Sequence, residues 1–331
     1  MTTNLRRYRE IDPVVTSYRP QRIYYVDPTG TNTSSSGTEL KPFRTLQYAH
    51  DTVDVSDRAE NQIIMYIRPG VYSENLTITK VNILWRGLEP YSQLSSGLTT
   101  ISGVVDINIT TGNSDAFSIL NGFQGIQFYN KSSSPNVTLR STKLSRNIFK
   151  TCKFYSENGV CFLNTSTNDI VIDDCQMNLA STSSSNDCLK LTDGRVDLLE
   201  SGIFTSGNGY AINCDSNGAI RLNRCFVQNT GGSSTADAVI NFNNTGFDVP
   251  KGPSQVSITF IGSSSSSTAA IKLNQDIIKT NHAVTMGFSS TSSASTNRFI
   301  GTGVVSSFTN VSIPGTGQND TATLVSITTG F

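Results

Sequence analysis

Charge is scarce in this chain: charged residues make up 15% of its 331 positions, and 25 basic side chains cancel 25 acidic ones. A protein whose main partner is nucleic acid neutralises phosphates with clustered Lys and Arg, so this balance argues against that class. Long apolar runs are missing as well; none approaches the length of a membrane-spanning helix. The first residues, "MTTNLRRYREIDPVV", lack the apolar segment of a secretory signal. These absences predict a water-soluble product made in a cytoplasm, with no membrane partner. Histidine is limited to His50 and His282, too far apart in sequence to suggest a Ser-His-Asp constellation. The six cysteines, at 152, 161, 175, 188, 214 and 225, fit neither CxxC pairs nor a zinc pattern and read as buried reduced thiols. No glycine-rich phosphate loop opens a helix. No metal and no cofactor are expected.

Ser, Thr, Asn and Gly take up the space that charge leaves. Hydrophobic residues reach only 36%, yet disorder pairs low hydrophobicity with high net charge, and here the net charge is zero. Stacking the short apolar patterns shows a repeat. Ile126, Cys152, Cys175, Ser201, Cys225 and Ile261 are each preceded or followed by Val, Ile, Leu, Met or Phe at offsets of minus five, minus three or plus two, and their steps are 26, 23, 26, 24 and 36 residues. Between them lie "CFLNTS" at 161, "CLKLTD" at 188, "AINCDS" at 211, "VINFNN" at 239 and "AIKLNQ" at 270. Short alternating strands recurring at one coil length, with no helical pattern between them, predict a solenoid in which each coil stacks on the last. A sandwich or barrel of hairpins is the alternative, since "NG" and "DG" dipeptides also suit hairpin turns. Equivalent side chains at one coil length favour the solenoid, with roughly ten coils and about 50 Å of rod at the spacing of paired strands.

A solenoid has an exposed first rung, and unpaired strand edges must be covered. "TLQYAHDTV" places Leu46, Ala49 and Val53 on one helical face and predicts a capping helix over about 44–53. The stretch "IYYVDPTGTNTSSSGTELKPFRTLQYA", followed by "IRPGVYSENLTI", resembles the opening of proteins with the pectate-lyase-like right-handed parallel β-helix, over residues 23 to 87. The resemblance implies an all-β, single-stranded right-handed parallel β-helix with a short N-terminal capping helix. The expected layout is a basic arm at 1–22, the β-helix at 23–310 and a strand-forming C-terminal cap at 311–331.

That fold hosts polysaccharide lyases and hydrolases, phage tailspikes and non-enzymatic surface proteins, so it does not fix a function. The resemblance implies, for an enzyme, either carboxylates holding calcium beside an arginine base or clustered aspartates. The candidates are Asp173 and Asp174 in "VIDDCQ", then Asp187, Asp193 and Asp215. Adjacent aspartates between strands more often bond their own backbone, and alternation points neighbours to opposite faces. Tyr24, Tyr25, Tyr66 and Tyr72 could form a sugar-stacking platform, but tyrosine in strands more often packs between rungs. Arg6, Arg7, Arg9, Arg19 and Arg22 against Glu10 and Asp12 make the first 22 residues basic, which suits an arm docking onto a larger assembly. The resulting expectation is a non-enzymatic virion structural or attachment protein: a minor capsid, spike or tail component that meets other virion proteins through the arm. A surface glycan is a further expected partner, and the apolar C-terminus suits a homotrimer contact. The alternative is a polysaccharide lyase or hydrolase, or a carbohydrate-binding tailspike.

Overall fold

A computed structural model of the chain describes residues 22–54, 62–88, 98–110, 120–142, 146–183, 185–216, 218–230, 238–244, 255–263, 269–273, 285–286 and 299–300. Arg6, Arg7, Arg9, Arg19, His282 and the expected cap at 311–331 lie outside them. Arg22, expected in the arm, instead opens the first strand, Arg22–Val26.

Every strand pair is parallel, and each coil crosses three faces. The first ladder runs through Arg22–Val26, Ile63–Ile67, Ile83–Gly87, Leu120–Gln124, Arg146–Lys150, Asp169–Asp173 and Arg195–Leu199 to Ala219–Asn229. The second returns through Gly202–Thr205, Gln176–Leu179, Lys153–Ser156, Ile126–Asn130 and Thr99–Ser102 to Gly70–Tyr72. Ala219–Asn229 bends through the corner between these two ladders, which joins them into one 16-stranded sheet. The third ladder is a separate 9-stranded sheet from Leu76–Ile78 to Phe299–Ile300. This is an all-β parallel solenoid with one short helix among the described residues, and the parallel pairing rules out the hairpin alternative.

Alternation decides which side chains enter the core. In Ile63–Ile67 the residues at 63, 65 and 67 point in, and in Arg195–Leu199 those at 196 and 198 do so. The interior therefore stacks like on like: Phe123 lies over Phe149 with ring centroids 4.7 Å apart, and Phe128 over Phe154 at 5.0 Å. The second set of segments, read between the anchors, forms the third face and pairs in the register of its apolar pattern, Phe162 with Leu189, Leu189 with Ile212, Ile212 with Ile240, and Ile240 with Ile271.

The repeat anchors have a backbone explanation. Each of Ile126, Cys152, Cys175, Ser201 and Cys225 follows a residue in the left-handed region: Gly125, Thr151, Asp174, Glu200 and Arg224, with φ between 48° and 65°. That bend turns the chain from the first face to the second, and the carbonyl two residues before the anchor accepts a corner N–H of the adjacent coil: Thr151 N–H donates to Asp173, Asp174 N–H to Leu199 and Glu200 N–H to Asn223. The anchor side chain adds a second donor. Ser201 Oγ donates to the Leu199 carbonyl at 2.7 Å, Cys175 Sγ to Asp173 at 3.2 Å and Cys225 Sγ to Asn223 at 3.5 Å. The cysteines are buried and free, as expected, and the corner thiols of Cys152, Cys175 and Cys225 act as weak donors as well as small apolar fillers. The last anchor needs correction. Ile261 pairs with Val227, and Ile258 with Cys225, across a register shift, so Ile261 sits past the corner.

The opening stretch closes the first coil. Tyr25 N–H donates to Gly37 and Phe43 N–H to Tyr25, so a loop covers the outer edge of the first strand. The helix, α1, spans Leu46–Thr52 with Thr45 as its N-cap, and Leu46, Ala49 and Val53 are buried as its periodicity predicts.

Candidate functional site

The five aspartates expected to carry chemistry do not gather in one site, although Asp215 acts electrostatically on Asp187. Asp173 ends its strand between Lys150 and Leu199. Asp174, at φ 50°, is the exposed corner residue, and its N–H donates to the Leu199 carbonyl at 3.1 Å. Asp193 belongs to a turn leading from the third face to the first, and Asp215 to the end of the third-face strand Ile212–Ser216, just before the next such turn. Asp193 Oδ1 accepts from Gly194 N–H at 2.8 Å, and Asp215 Oδ1 from Ser216 N–H at 2.9 Å. These two turns lie at the opposite end of the first ladder from Asp173 and Asp174, about 13 Å away at the rise of a strand. Asp187 is buried near Asn213, which donates to it at 2.7 Å, while Tyr210 N–H donates at 3.0 Å. Burial pushes its carboxyl above the usual carboxylate range despite those donors and Lys190.

A different group assembles on the outward side of the first ladder. With Val196 and Leu198 pointing in, Arg195 and Asp197 point out. Asp197 stands in register between Val171 and Arg221, and Arg195 between Asp169 and Ala219. Arg195 Nη2 lies 2.9 Å from Asp169 Oδ2 and its Nε 3.4 Å from Asp197 Oδ1, while Arg221 Nη1 lies 3.4 Å from Asp197 Oδ2. Asp197 is only 6% exposed. Burial raises its carboxyl above the ordinary value, Arg221 and Arg195 work against that, and Asp169 reinforces it. Arg146 also acts on Asp197 electrostatically. Three arginines against two aspartates leave this cluster one charge positive.

Sequence reasoning missed this cluster, although a signal was present. Ile148, Val171, Asp197 and Arg221 each sit four residues before an anchor, and Arg146, Asp169, Arg195 and Ala219 six before. Reading outward offsets as carefully as inward ones would have aligned the charges. The arrangement holds its carboxylates between guanidinium groups, which favours charge pairing over proton abstraction. A calcium site of the kind the resemblance implies does not fit. Among the described residues no three His, Cys, Asp or Glu side chains converge, and Asp169 and Asp197 are joined by Arg195 and do not face a shared space.

The tyrosines divide. Tyr24 packs beside the core against Phe43, and Tyr72 is buried, donating to the Arg68 carbonyl at 2.9 Å. Tyr25 and Tyr66 form an outward pair 5.5 Å apart. A second pair, Tyr129 and Tyr155, stacks at 5.5 Å on the second face, with Tyr129 O–H donating to Glu157 at 2.6 Å. In both pairs the rings face one another along the rod.

The fold and its faces define the class as a parallel β-solenoid with a capped first coil and a charge-laddered outer face. The chain is similar over much of its length to two solved structures. A crystal structure of the pectate lyase Pel9A is 15% identical, with 88% of this chain and 79% of that one covered at a TM-score of 0.36. A rhamnogalacturonan lyase is 15% identical, with 86% and 75% covered at a TM-score of 0.30. No family model and no curated protein matches the chain. No described helix is long and apolar enough to cross a membrane.

Proposed function

We propose that this chain is a rigid, non-enzymatic rod that serves a virus or phage particle as a structural or attachment component. The observation that carries this reading is the commitment of its acids. Asp193 and Asp215 bond the N–H groups that follow them, Asp169 and Asp197 are tied to Arg195 and Arg221, and Asp174 stands exposed at a corner. A surface built this way resists bending, and among the described residues it leaves no carboxylate pair poised across a cleft. Its test is mass spectrometry of purified particles from the source. Copies in fixed proportion to the major coat protein are the expected result, and absence from particles overturns the assignment.

One observation favours a second reading, a polysaccharide-processing or carbohydrate-binding rod: the Asp169–Arg195–Asp197–Arg221 cluster lies on an open sheet face where an extended chain could rest. Assays against acidic and neutral polysaccharides, with and without calcium, separate the two. Formation of unsaturated or reducing ends that disappears in Asp197→Asn would favour the enzyme; no turnover keeps the structural reading.

A further inference from the structure

The contact between α1 and the first coil is made by side chains standing in for a missing strand. Leu76–Ile78, the first strand of the third face, pairs on one side with Val105–Ile107. On its other side Thr77 N–H donates to Gln47 Oε1 at 2.7 Å, Gln47 Nε2 donates to the Thr77 carbonyl at 3.3 Å, and Thr79 N–H donates to His50 Nε2 at 3.1 Å. Both helix ends are clamped from the same coil. Glu74 accepts the N–H groups of Leu46 and Gln47 at 2.8 and 3.0 Å, and Lys80 Nζ donates to the carbonyls of His50, Asp51 and Val53 at 2.7 to 2.8 Å.

Of the two side chains that bond the edge of Leu76–Ile78 and Thr79 directly, Gln47 and His50, it is His50 that titrates. The Asp51 carboxylate can only accept, so His50 Nδ1, 2.8 Å away, carries the proton. Nε2 must then be bare to accept from Thr79. We propose that α1 is an acid-released cap: a second proton, on His50 Nε2, sets donor against donor at Thr79 and frees the edge of Leu76–Ile78. The charged groups around the ring pull in both directions. Asp51 on the helix favours the imidazolium. Lys80, from the turn after Leu76–Ile78 and bonded to the His50 carbonyl, opposes it, and Asp54 acts on Lys80. Trp85, from Ile83–Gly87, covers the ring at 6.4 Å with planes 14° apart. Burial, the largest influence, holds His50 below its ordinary value, so the seal is closed at neutral pH and opens only on acidification.

Trp85 is the single tryptophan of the chain, and its stacking on His50 makes its fluorescence a local reporter. The experiment follows Trp85 emission and hydrogen exchange at the Thr79 amide in the full chain from about pH 7.5 to about pH 4.5. The expected result is a change in emission with at least roughly tenfold faster exchange at Thr79, beyond the intrinsic pH effect, while the inner-coil amide of Phe149 stays protected. His50→Gln keeps an acceptor but cannot titrate, so it should show no transition. A flat response in the unmodified chain, the same transition in His50→Gln, or simultaneous loss of protection at Phe149 would each overturn the proposal. If the glutamine variant does not fold, Asp51→Asn decides: removal of the carboxylate that favours the imidazolium must move the midpoint to lower pH, and an unmoved midpoint overturns the proposal.

Discussion

Phe149 lies flat on Phe123 of the preceding coil, with centroids 4.7 Å apart and planes 7° from parallel, and its edge meets Phe128, Phe154 and Phe162. Aromatic burial of this kind adds to the cohesion of these coils beside the aliphatic side chains that make up most of the core.

Phe149→Ala should therefore cost about 3–5 kcal/mol, because a large ring leaves a cavity that stacked backbones cannot close. Urea or thermal unfolding measures it. A loss under about 1 kcal/mol would mean that the coils repack freely.

At the corner, Asp174 occupies φ 50° with its side chain exposed. Asp174→Gly should be neutral or slightly stabilising, whereas Asp174→Val should cost roughly 1–2 kcal/mol, since a β-branched residue resists the left-handed region. The same pair tests chemistry: any activity found should survive Asp174→Gly.

The thiol of Cys225 donates to the carbonyls of Leu198 and Asn223, as the Ser201 hydroxyl does to Leu199 one coil earlier. Cys225→Ser should keep that role and change stability by less than about 1 kcal/mol, while Cys225→Ala gives up the thiol's bonds and leaves a small void at about 1–2 kcal/mol, Asn223 keeping only the Glu200 N–H. Equal stability for serine and alanine would show that the thiol acts only as an apolar filler.

Asp187 illustrates the pH dependence of a buried acid. Burial raises its folded pKa above the unfolded one, so its contribution to stability is fully present below the unfolded value and is lost as pH rises through the folded one. Unfolding midpoints compared across that window should show Asp187→Asn less sensitive to rising pH than the unmodified chain. An identical slope in both would assign the dependence to other groups.

Much of the architecture was legible before any coordinates. Period-two alternation and equal spacing of the anchors are local properties, and they specified the solenoid, the apolar pattern of the second set of segments from Phe162 to Ile271 and the buried side of α1. Ile261 was misplaced because one long interval hides where inserted residues lie, and a local slip between Cys225 and Phe226 is decided by pairing, not by pattern. The candidate site was read less well. Asp173 and Asp174 drew attention as neighbours in sequence, whereas Asp197 and Arg221 are 24 residues apart and become neighbours only when one coil lies on the next.

What the sequence determined by itself was which residues face inward and how long a coil is, since both follow from the two-residue alternation of a strand and the regular return of apolar anchors. The tertiary structure alone decided which charges meet across rungs, that the thiols serve corner carbonyls, and that His50 closes a strand edge. Those depend on distances between segments far apart in the chain, and stacking creates them only after every coil has taken its register.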